Sequence, residues 1–145
     1  SINNPPSGLT YLDCGGCTLL TGSINSLPSG MTYLSCSSCP LLTGSINSLP
    51  SGLTLLYCTG CQFTYATSSG SRVWANAMRR IYIAPPSVGI FTSAMVDSIL
   101  IDLANVAAWA TEKSVSIAGN CGAHTAASNA AIATIQGKGV TVTVN

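Results

Sequence analysis

SINSLPSGMTYLSCSSCPLLTG, the stretch at residues 23–44, decides the fold, because the chain carries three versions of it. SINNPPSGLTYLDCGGCTLLTG precedes it at residues 1–22, and SINSLPSGLTLLYCTGCQFTYA follows it at residues 45–66. The three copies align without gaps, so the period is 22 residues. One such unit cannot bury its apolar face alone, whereas stacked units bury a continuous column of side chains. The sequence therefore predicts three stacked units at residues 1–66.

Each unit begins with a short strand and continues into a turn. LTYLDC, MTYLSC and LTLLYC alternate apolar and polar residues, as a half-buried strand does. A Gly-Gly, Ser-Ser or Thr-Gly pair then lets the chain turn. We predict a second inward apolar step at Leu19, Leu41 and Phe63. Pro28 and Pro50 favour an extended or turn geometry on the return path rather than a long helix.

The spacing of apolar residues within the units carries a family resemblance. The inward frame is Leu9, Leu12, Cys14, Cys17, Leu19 in the first unit, Met31, Leu34, Cys36, Cys39, Leu41 in the second, and Leu53, Leu56, Cys58, Cys61, Phe63 in the third. This frame resembles the leucine-rich-repeat family, whose unit runs LxxLxLxxNxL. LTGSI at residues 20–24 and 42–46 is similar to the LTGxIP variant known best from plants. The resemblance implies a curved solenoid with a parallel β-sheet on one face, in which the second cysteine of each unit replaces the family's ladder asparagine.

The C-terminal half loses the period but keeps an alternation of strands and helices. We predict a strand at residues 80–83, a helix from Thr92 or Ser93 to about Ala110, a strand at 114–118, a helix from Thr125 to Gly137 and a strand over Val140, Val142 and Val144. Strands separated by helices pair in parallel. Residues 114–145 are also similar to the C-terminal caps of bacterial and bacteriophage repeat proteins. The expected fold class is α/β, with three leucine-rich repeats at 1–66 and an α/β cap at 67–145 that continues the same solenoid.

Six of the seven cysteines form three CxxC pairs: Cys14 with Cys17, Cys36 with Cys39, and Cys58 with Cys61. We interpret this structural cysteine ladder as small buried residues in two inward columns. Disulfides are an alternative, because stacked strands lie about 4.8 Å apart, but a column of three cannot pair completely. A zinc or redox module is a further alternative, although a site of four thiolates leaves one pair over. We predict no metal and no cofactor.

No constellation of acids and bases is visible, so we predict that the chain is not an enzyme and has no catalytic residue. His124 is the only histidine and follows Cys121 by three residues, with no third group to orient it. Asp97 and Asp102 lie five residues apart on the predicted helix, so they face different directions, and we interpret both as solvated charges.

The charge pattern excludes two classes of partner. Only 6% of residues are charged and the net charge is +1, so no basic footprint for nucleic acid exists. No stretch approaches the roughly 18 apolar residues of a membrane span, so we predict no membrane insertion. Hydrophobic residues make up 47% of the chain, which argues against disorder. Neutral, foldable surfaces of this kind suit close contact with neighbours in an assembly.

Two surfaces remain as candidate binding sites. The first is the outward face of the predicted sheet, where aromatic rings beside hydroxyls suit protein backbone or glycans. Its residues are Thr10, Tyr11, Asp13, Thr32, Tyr33, Ser35, Thr54, Leu55, Tyr57 and Tyr82, with Ser114, Ser116, Thr141 and Thr143 extending it. Such residues also simply stabilise a sheet, which is the alternative reading. The second surface is the N-terminal edge strand, which we expect upstream sequence or another subunit to cover.

The low charge, the repeat array, the phage-like cap and the open N-terminal end favour a function outside the cell. We expect a structural or recognition module of an extracellular or virion surface assembly, with a protein partner or self-assembly through the sheet face and the N-terminal edge. A secreted bacterial leucine-rich-repeat protein that binds protein or glycan is the alternative. A metal or redox module built on the cysteines is the third hypothesis.

Overall fold

A computed structural model describes all 145 residues and is α/β. The elements in chain order are β1 (Tyr11–Asp13), β2 (Gly22–Ser23), β3 (Tyr33–Ser35), β4 (Leu42–Ser45), β5 (Leu55–Thr59), β6 (Gln62–Thr64), β7 (Met78–Ala84), α1 (Ser93–Ala104), β8 (Trp109–Ile117), α2 (Asn129–Gly137) and β9 (Thr141–Val144). Single-turn 3-10 helices lie at Ile24–Ser26, Ile46–Ser48 and Ala126–Ser128. Neither α-helix is long and apolar enough to cross a membrane.

The main sheet has six parallel strands in the order β1-β3-β5-β7-β8-β9. The 22-residue period sets its register, because Leu12 pairs with Leu34 and Leu34 pairs with Leu56. Ile81 and Val115 continue the same row through β7 and β8. The predicted α/β class and parallel sheet are therefore confirmed.

A second sheet of three parallel strands, in the order β2-β4-β6, lies on the return path of the units and was not among the predictions. Its register is shorter than the repeat, since Gly22 pairs with Leu42 and Thr43 pairs with Gln62. A 3-10 turn follows β2 and another follows β4. The hydroxyl of Ser23 or Ser45 caps each turn by accepting the amide hydrogen two residues later.

One continuous core fills the space behind the main sheet. A single cluster of 31 buried residues runs from Ile2 to Val140, so it crosses residue 66 without a break. The inward residues of the sheet contribute Leu34, Leu56 and Ile81, none of which is exposed. Helix α1 adds the face formed by Val96, Ile99, Leu100 and Leu103, as its spacing predicts.

The predicted second apolar step is wrong for two of its three residues. Leu19 is 87% exposed and Leu41 is 47% exposed, whereas Phe63 is buried. The reason is a tight turn after Cys17 and Cys39 that is absent after Cys61: the amides of Leu20 and Leu42 donate to the carbonyls of these two cysteines, at 3.0 and 3.1 Å. This turn directs Leu42 inward, where it is fully buried, and leaves Leu41 on the outside.

Helix α1 begins at its predicted cap but ends earlier than predicted. Thr92 accepts the amide hydrogen of Met95 at the start, while the helix stops at Ala104 rather than near Ala110. The Lys138 ammonium donates to the carbonyls of Ala104 and Val106 at 2.7 and 2.6 Å, which satisfies groups left free at the helix end. The residues that follow the helix lead into β8, which begins at Trp109.

The interpretation of Asp97 and Asp102 as solvated charges is wrong, because both are buried. Asp97 accepts hydrogen bonds from the amide and hydroxyl of Thr125, at 2.9 and 2.6 Å, and from the Ser128 hydroxyl at 2.6 Å. Asp102 accepts from the Tyr65 hydroxyl at 2.7 Å and from the amide of Gly70. Asp97 therefore links α1 to the turn that precedes α2. Asp102 links α1 to Tyr65 and to the segment that follows the third unit.

Candidate recognition surface

The outward face of the main sheet presents two columns of side chains. Because alternate residues of a strand point to opposite faces, the residues between the buried ones line this face. The first column is Tyr11, Tyr33, Leu55, Arg80, Ser114, Thr141, and the second is Asp13, Ser35, Tyr57, Tyr82, Ser116, Thr143. The structure thus brings the predicted face residues of the sheet onto one surface, which we name the outer face.

Four tyrosines form two stacked pairs on the outer face. The rings of Tyr11 and Tyr33 lie 4.1 Å apart and are tilted by 16°. Those of Tyr57 and Tyr82 lie 5.0 Å apart and are tilted by 33°. Leu55 holds its place in the first column but is only 8% exposed, so it offers little contact area. The aromatic surface consequently comes from the tyrosines, with Tyr11 the most open at 54%.

The threonine hydroxyls next to these columns are partly used within the sheet. The Thr32 hydroxyl donates to the carbonyl of Thr10 at 3.2 Å, and the Thr54 hydroxyl donates to that of Thr32 at 3.1 Å. Each bond spans one repeat, so these residues tie successive units together. A ligand would find their oxygens as acceptors only, while the Asp13 carboxylate already accepts the amide of Gly15.

Arg80 brings a positive charge to the outer face, which the predicted site lacked. Its guanidinium donates to the Tyr57 hydroxyl at 3.3 Å and to the Glu112 carboxylate at 3.2 Å. Arg79 also pairs with Glu112, at 3.5 Å. Alternation in the strand predicted at residues 80–83 could have revealed it, because Arg80 precedes the inward Ile81. The polar end of the face therefore lies beside Tyr57 and Tyr82.

The N-terminal edge of the sheet is uncovered. Leu12 in β1 is half-buried, although Leu34 at the same position of the next unit is fully buried. Cys17 is exposed, whereas its counterpart Cys39 is fully buried. Cys14 shows the same difference to a lesser degree. We name the surface formed by Leu12, Cys14, Cys17 and Leu20 the open edge.

The cysteine ladder is mostly but not wholly buried. The structure places Cys36, Cys39, Cys58 and Cys61 in the core, as predicted, and leaves Cys14 half-buried. The prediction that Cys17 is buried is wrong. Cys17 is exposed, because β1 is the edge strand and no further unit lies on that side of the sheet. All seven cysteines are free thiols. No group of three or more Cys, His, Asp or Glu side chains is arranged to hold a metal ion.

Burial keeps several of the thiols in their neutral form. It raises the pKa of Cys14 to about 12 and that of Cys121 to about 11. It also raises the pKa of Cys58 well above its ordinary value. The Cys121 thiol donates to the carbonyl of Ile83 at 3.8 Å, while Nδ1 of His124 lies 3.3 Å from its neighbour's carbonyl. These hydrogen bonds give the two side chains separate partners.

An asparagine ladder is present at a position that the sequence interpretation missed. The side-chain oxygens of Asn3 and Asn25 each accept an amide hydrogen from the next unit, on Ser23 and Ser45 respectively, at 2.9 Å. Asn47 accepts that of Ala66 at 2.7 Å. The resemblance gives a ladder role to the second cysteine of each unit, and Cys39 and Cys61 do donate to the carbonyls of Cys14 and Cys36, at 3.0 and 2.8 Å. The signal was available, because asparagine occupies the third position of all three units.

Comparison with known proteins adds no relative. No protein-family model matches the chain, and neither a curated protein nor a solved structure matches it. The structure shows no pocket. The outer face and the open edge remain the two candidate surfaces.

Proposed function

We propose that the chain is a leucine-rich-repeat solenoid that serves as a non-enzymatic structural or recognition module of an extracellular or virion surface assembly. In this proposal the α/β cap closes one end, and protein partners dock on the other. The open edge carries the argument: positions that are fully buried in the second and third units, such as Leu34 and Cys39, are exposed or half-buried at Leu12 and Cys17.

The chemistry of the open edge favours an extended protein segment as its partner. A sheet edge leaves backbone N–H and C=O groups without partners, and these pair with an added strand. Leu12 and Leu20 supply apolar contacts beside that strand. The near absence of charge in the repeat units, together with a net charge of +1 for the chain, leaves little repulsion between copies. Self-assembly of identical chains through the open edge can be tested with the purified chain alone.

Substitution of Leu12 by lysine is expected to weaken this assembly. A charged side chain would have to be desolvated beneath the docked strand, so we expect the dissociation constant to rise at least about tenfold. Sedimentation velocity across a concentration series measures it. Val88→Lys is the control, because Val88 is 82% exposed in the loop between β7 and α1. Circular dichroism establishes that both variants fold.

A chain that is monomeric at every concentration, with slowly exchanging amides along β1, would refute docking at the open edge. Slow exchange would mean that the edge is already protected within one copy. The assembly proposal would then have to be abandoned for this surface.

The alternative is a secreted bacterial binding protein that uses the outer face. The stacked pairs Tyr11–Tyr33 and Tyr57–Tyr82 favour it, since flat aromatic surfaces bind sugars and protein backbone. Glycan and protein arrays separate the two functions. Array binding that is lost in Tyr33→Ala and retained in Leu12→Lys would favour the outer face over the open edge.

A further inference from the structure

We infer that the outer face carries a binding site for an acidic saccharide where β7 meets β8. In this site the ring of Tyr82 supports a sugar ring, and the Arg79 guanidinium binds the carboxylate of the sugar. The site deepens the second function considered above, recognition of a ligand by the outer face, and it does not depend on the open edge. It is built from a bulge in β8, two ion pairs and an anchored aromatic ring.

The bulge interrupts the pairing of β7 with β8. The register shifts between residues 78 and 80 of β7, which pair with residues 109 and 114 of β8, so β8 carries extra residues at this point. Glu112, within the bulge, has a φ of 58°, and Ala77, just before β7, has a φ of 66°. Residues other than glycine rarely adopt this left-handed region. Bulges redirect side chains, and backbone strain of this kind clusters at binding sites.

The bulge directs the Glu112 carboxylate at two arginines. Its Oε2 lies 3.5 Å from Arg79 and 3.2 Å from Arg80, and these are the two ion pairs of the chain. Nε of Arg80 also donates to the Glu112 carbonyl at 3.2 Å. All three side chains are more than a third exposed, and exposed ion pairs contribute little to folding stability. Stability therefore does not account for the strain at Glu112, whereas holding charge for a ligand does.

Arg79 is the arginine with donors to spare. Arg80 donates through Nε and both Nη atoms, to Glu112 and to the Tyr57 hydroxyl. Arg79 forms the longer ion pair and 48% of its side chain is exposed, which leaves N–H groups of its guanidinium for a ligand. A guanidinium presents its donors as a planar fork that matches a carboxylate. Two arginines and one glutamate give the cluster a net positive charge, so an anionic ligand fits it.

Tyr82 supplies a fixed aromatic surface next to these charges. Its hydroxyl lies 3.2 Å from Oγ of Ser114, and Tyr57 packs against one side of its ring, with the ring centroids 5.0 Å apart. On the other side its neighbour in the column is Ser116, which is too small to cover an aromatic ring. The exposed part of the ring can therefore bear the apolar face of a sugar, while the serine hydroxyls form hydrogen bonds with its hydroxyl groups.

The position of the site in the sheet favours a saccharide over an acidic peptide. β7 and β8 are internal strands in the order β5-β7-β8-β9, so the site offers no free strand edge to a peptide backbone. A saccharide carries its hydrogen-bonding groups on the ring, where side chains alone can satisfy them. A hexuronic acid combines such a ring with a carboxylate, so it is the class of sugar that these residues match.

Binding of hexuronate oligomers to the full chain tests the site. Trimers of galacturonate, glucuronate, mannuronate and guluronate are compared with their methyl esters, which keep the ring and lose the charge. We expect at least one acidic trimer to bind with a dissociation constant at least about tenfold below that of its ester, because the ester cannot form the charge-assisted pair with Arg79. Isothermal titration calorimetry at low salt measures both. No binding by any acidic trimer, or equal binding of acid and ester, would overturn the inference, as would tighter binding of a hexaglutamate peptide.

Single substitutions locate the ligand. Arg79→Gln should weaken binding of the acidic trimer at least about tenfold, and Tyr82→Ala should weaken it as well. Leu12→Lys, the variant directed at the open edge, is the control and should bind the trimer as the unaltered chain does, so the two proposals fail separately. If Tyr82→Ala does not fold, Arg79→Gln still decides, because its side chain is exposed. Undiminished binding in Arg79→Gln, or a loss of binding in Leu12→Lys, would contradict the site.

Discussion

Gly44→Ala is expected to destabilise the chain by about 3 kcal/mol or more, from steric overlap together with an unfavourable backbone conformation. Gly44 has a φ of 123°, which L side chains rarely adopt. A Cβ at this position would lie 2.6 Å from Oδ1 of Asn25 and 2.8 Å from Cγ1 of Ile24. The clash would separate β4 from the stretch at residues 23–25 and break the asparagine ladder where Asn25 accepts the amide of Ser45.

Gly52→Ala is the matched control for this substitution. Gly52 lies in the third unit, where the nearest atom to its added Cβ, the carbonyl oxygen of Met31, is 3.8 Å away and its φ is not positive. Its change in unfolding free energy should stay within about 0.5 kcal/mol. Urea unfolding monitored by circular dichroism gives both values. If Gly44→Ala proved as stable as Gly52→Ala, the close stacking of β4 on residues 23–25 would be wrong.

Asp97→Ala is expected to cost about 2–4 kcal/mol, because it leaves one buried hydroxyl and two partly buried donors without their acceptor. These donors belong to Thr125 and Ser128, so the loss falls on the junction between α1 and α2. Asp97→Asn should cost less, since its side-chain oxygen still accepts two of the three hydrogen bonds. Denaturant unfolding at pH 7 compares the variants, and equal stability of Asp97→Ala and the unaltered chain would contradict this role.

The same carboxylate is expected to make stability depend on pH. Burial by itself raises the pKa of Asp97, but hydrogen bonds from Ser128 and Thr125 outweigh it, and the net pKa is lowered. A lowered pKa in the folded state stabilises the fold above the unfolded-state value of about 3.9, and this contribution is lost as pH falls through the folded-state pKa. The difference in unfolding free energy between the unaltered chain and Asp97→Asn should therefore shrink below about pH 4. A difference that stayed constant down to pH 2 would contradict the assignment.

The repeat period allowed the main sheet to be predicted, because a gapless 22-residue repeat admits one parallel register. Leu12, Leu34 and Leu56 could be placed in one row from their positions alone. The strand after α1 and the final strand followed from alternation at Val115 and Val142. These features depend on local patterns, which a sequence displays directly.

The errors concern contacts between residues that are distant in sequence or set by a single turn. Leu41 and Leu42 are equally apolar, so only the turn after Cys39 decides which one is buried. Asp97 looked solvated because its partners lie 28 and 31 residues away. Arg72 is buried without a carboxylate partner, donating instead to backbone carbonyls such as that of Pro50 at 2.8 Å and lying over the Trp74 ring. No local pattern predicts such a position for an arginine.

The parallel stacking of successive units is the central claim, and nuclear Overhauser effects between backbone protons of β1, β3 and β5 test it most directly. The structure predicts cross-strand contacts that join Tyr11 to Tyr33 and Leu12 to Leu34, and then Leu34 to Leu56, each pair separated by 22 residues. Contacts of antiparallel type, or contacts displaced by one residue so that Leu34 and Leu56 face outward, would contradict it.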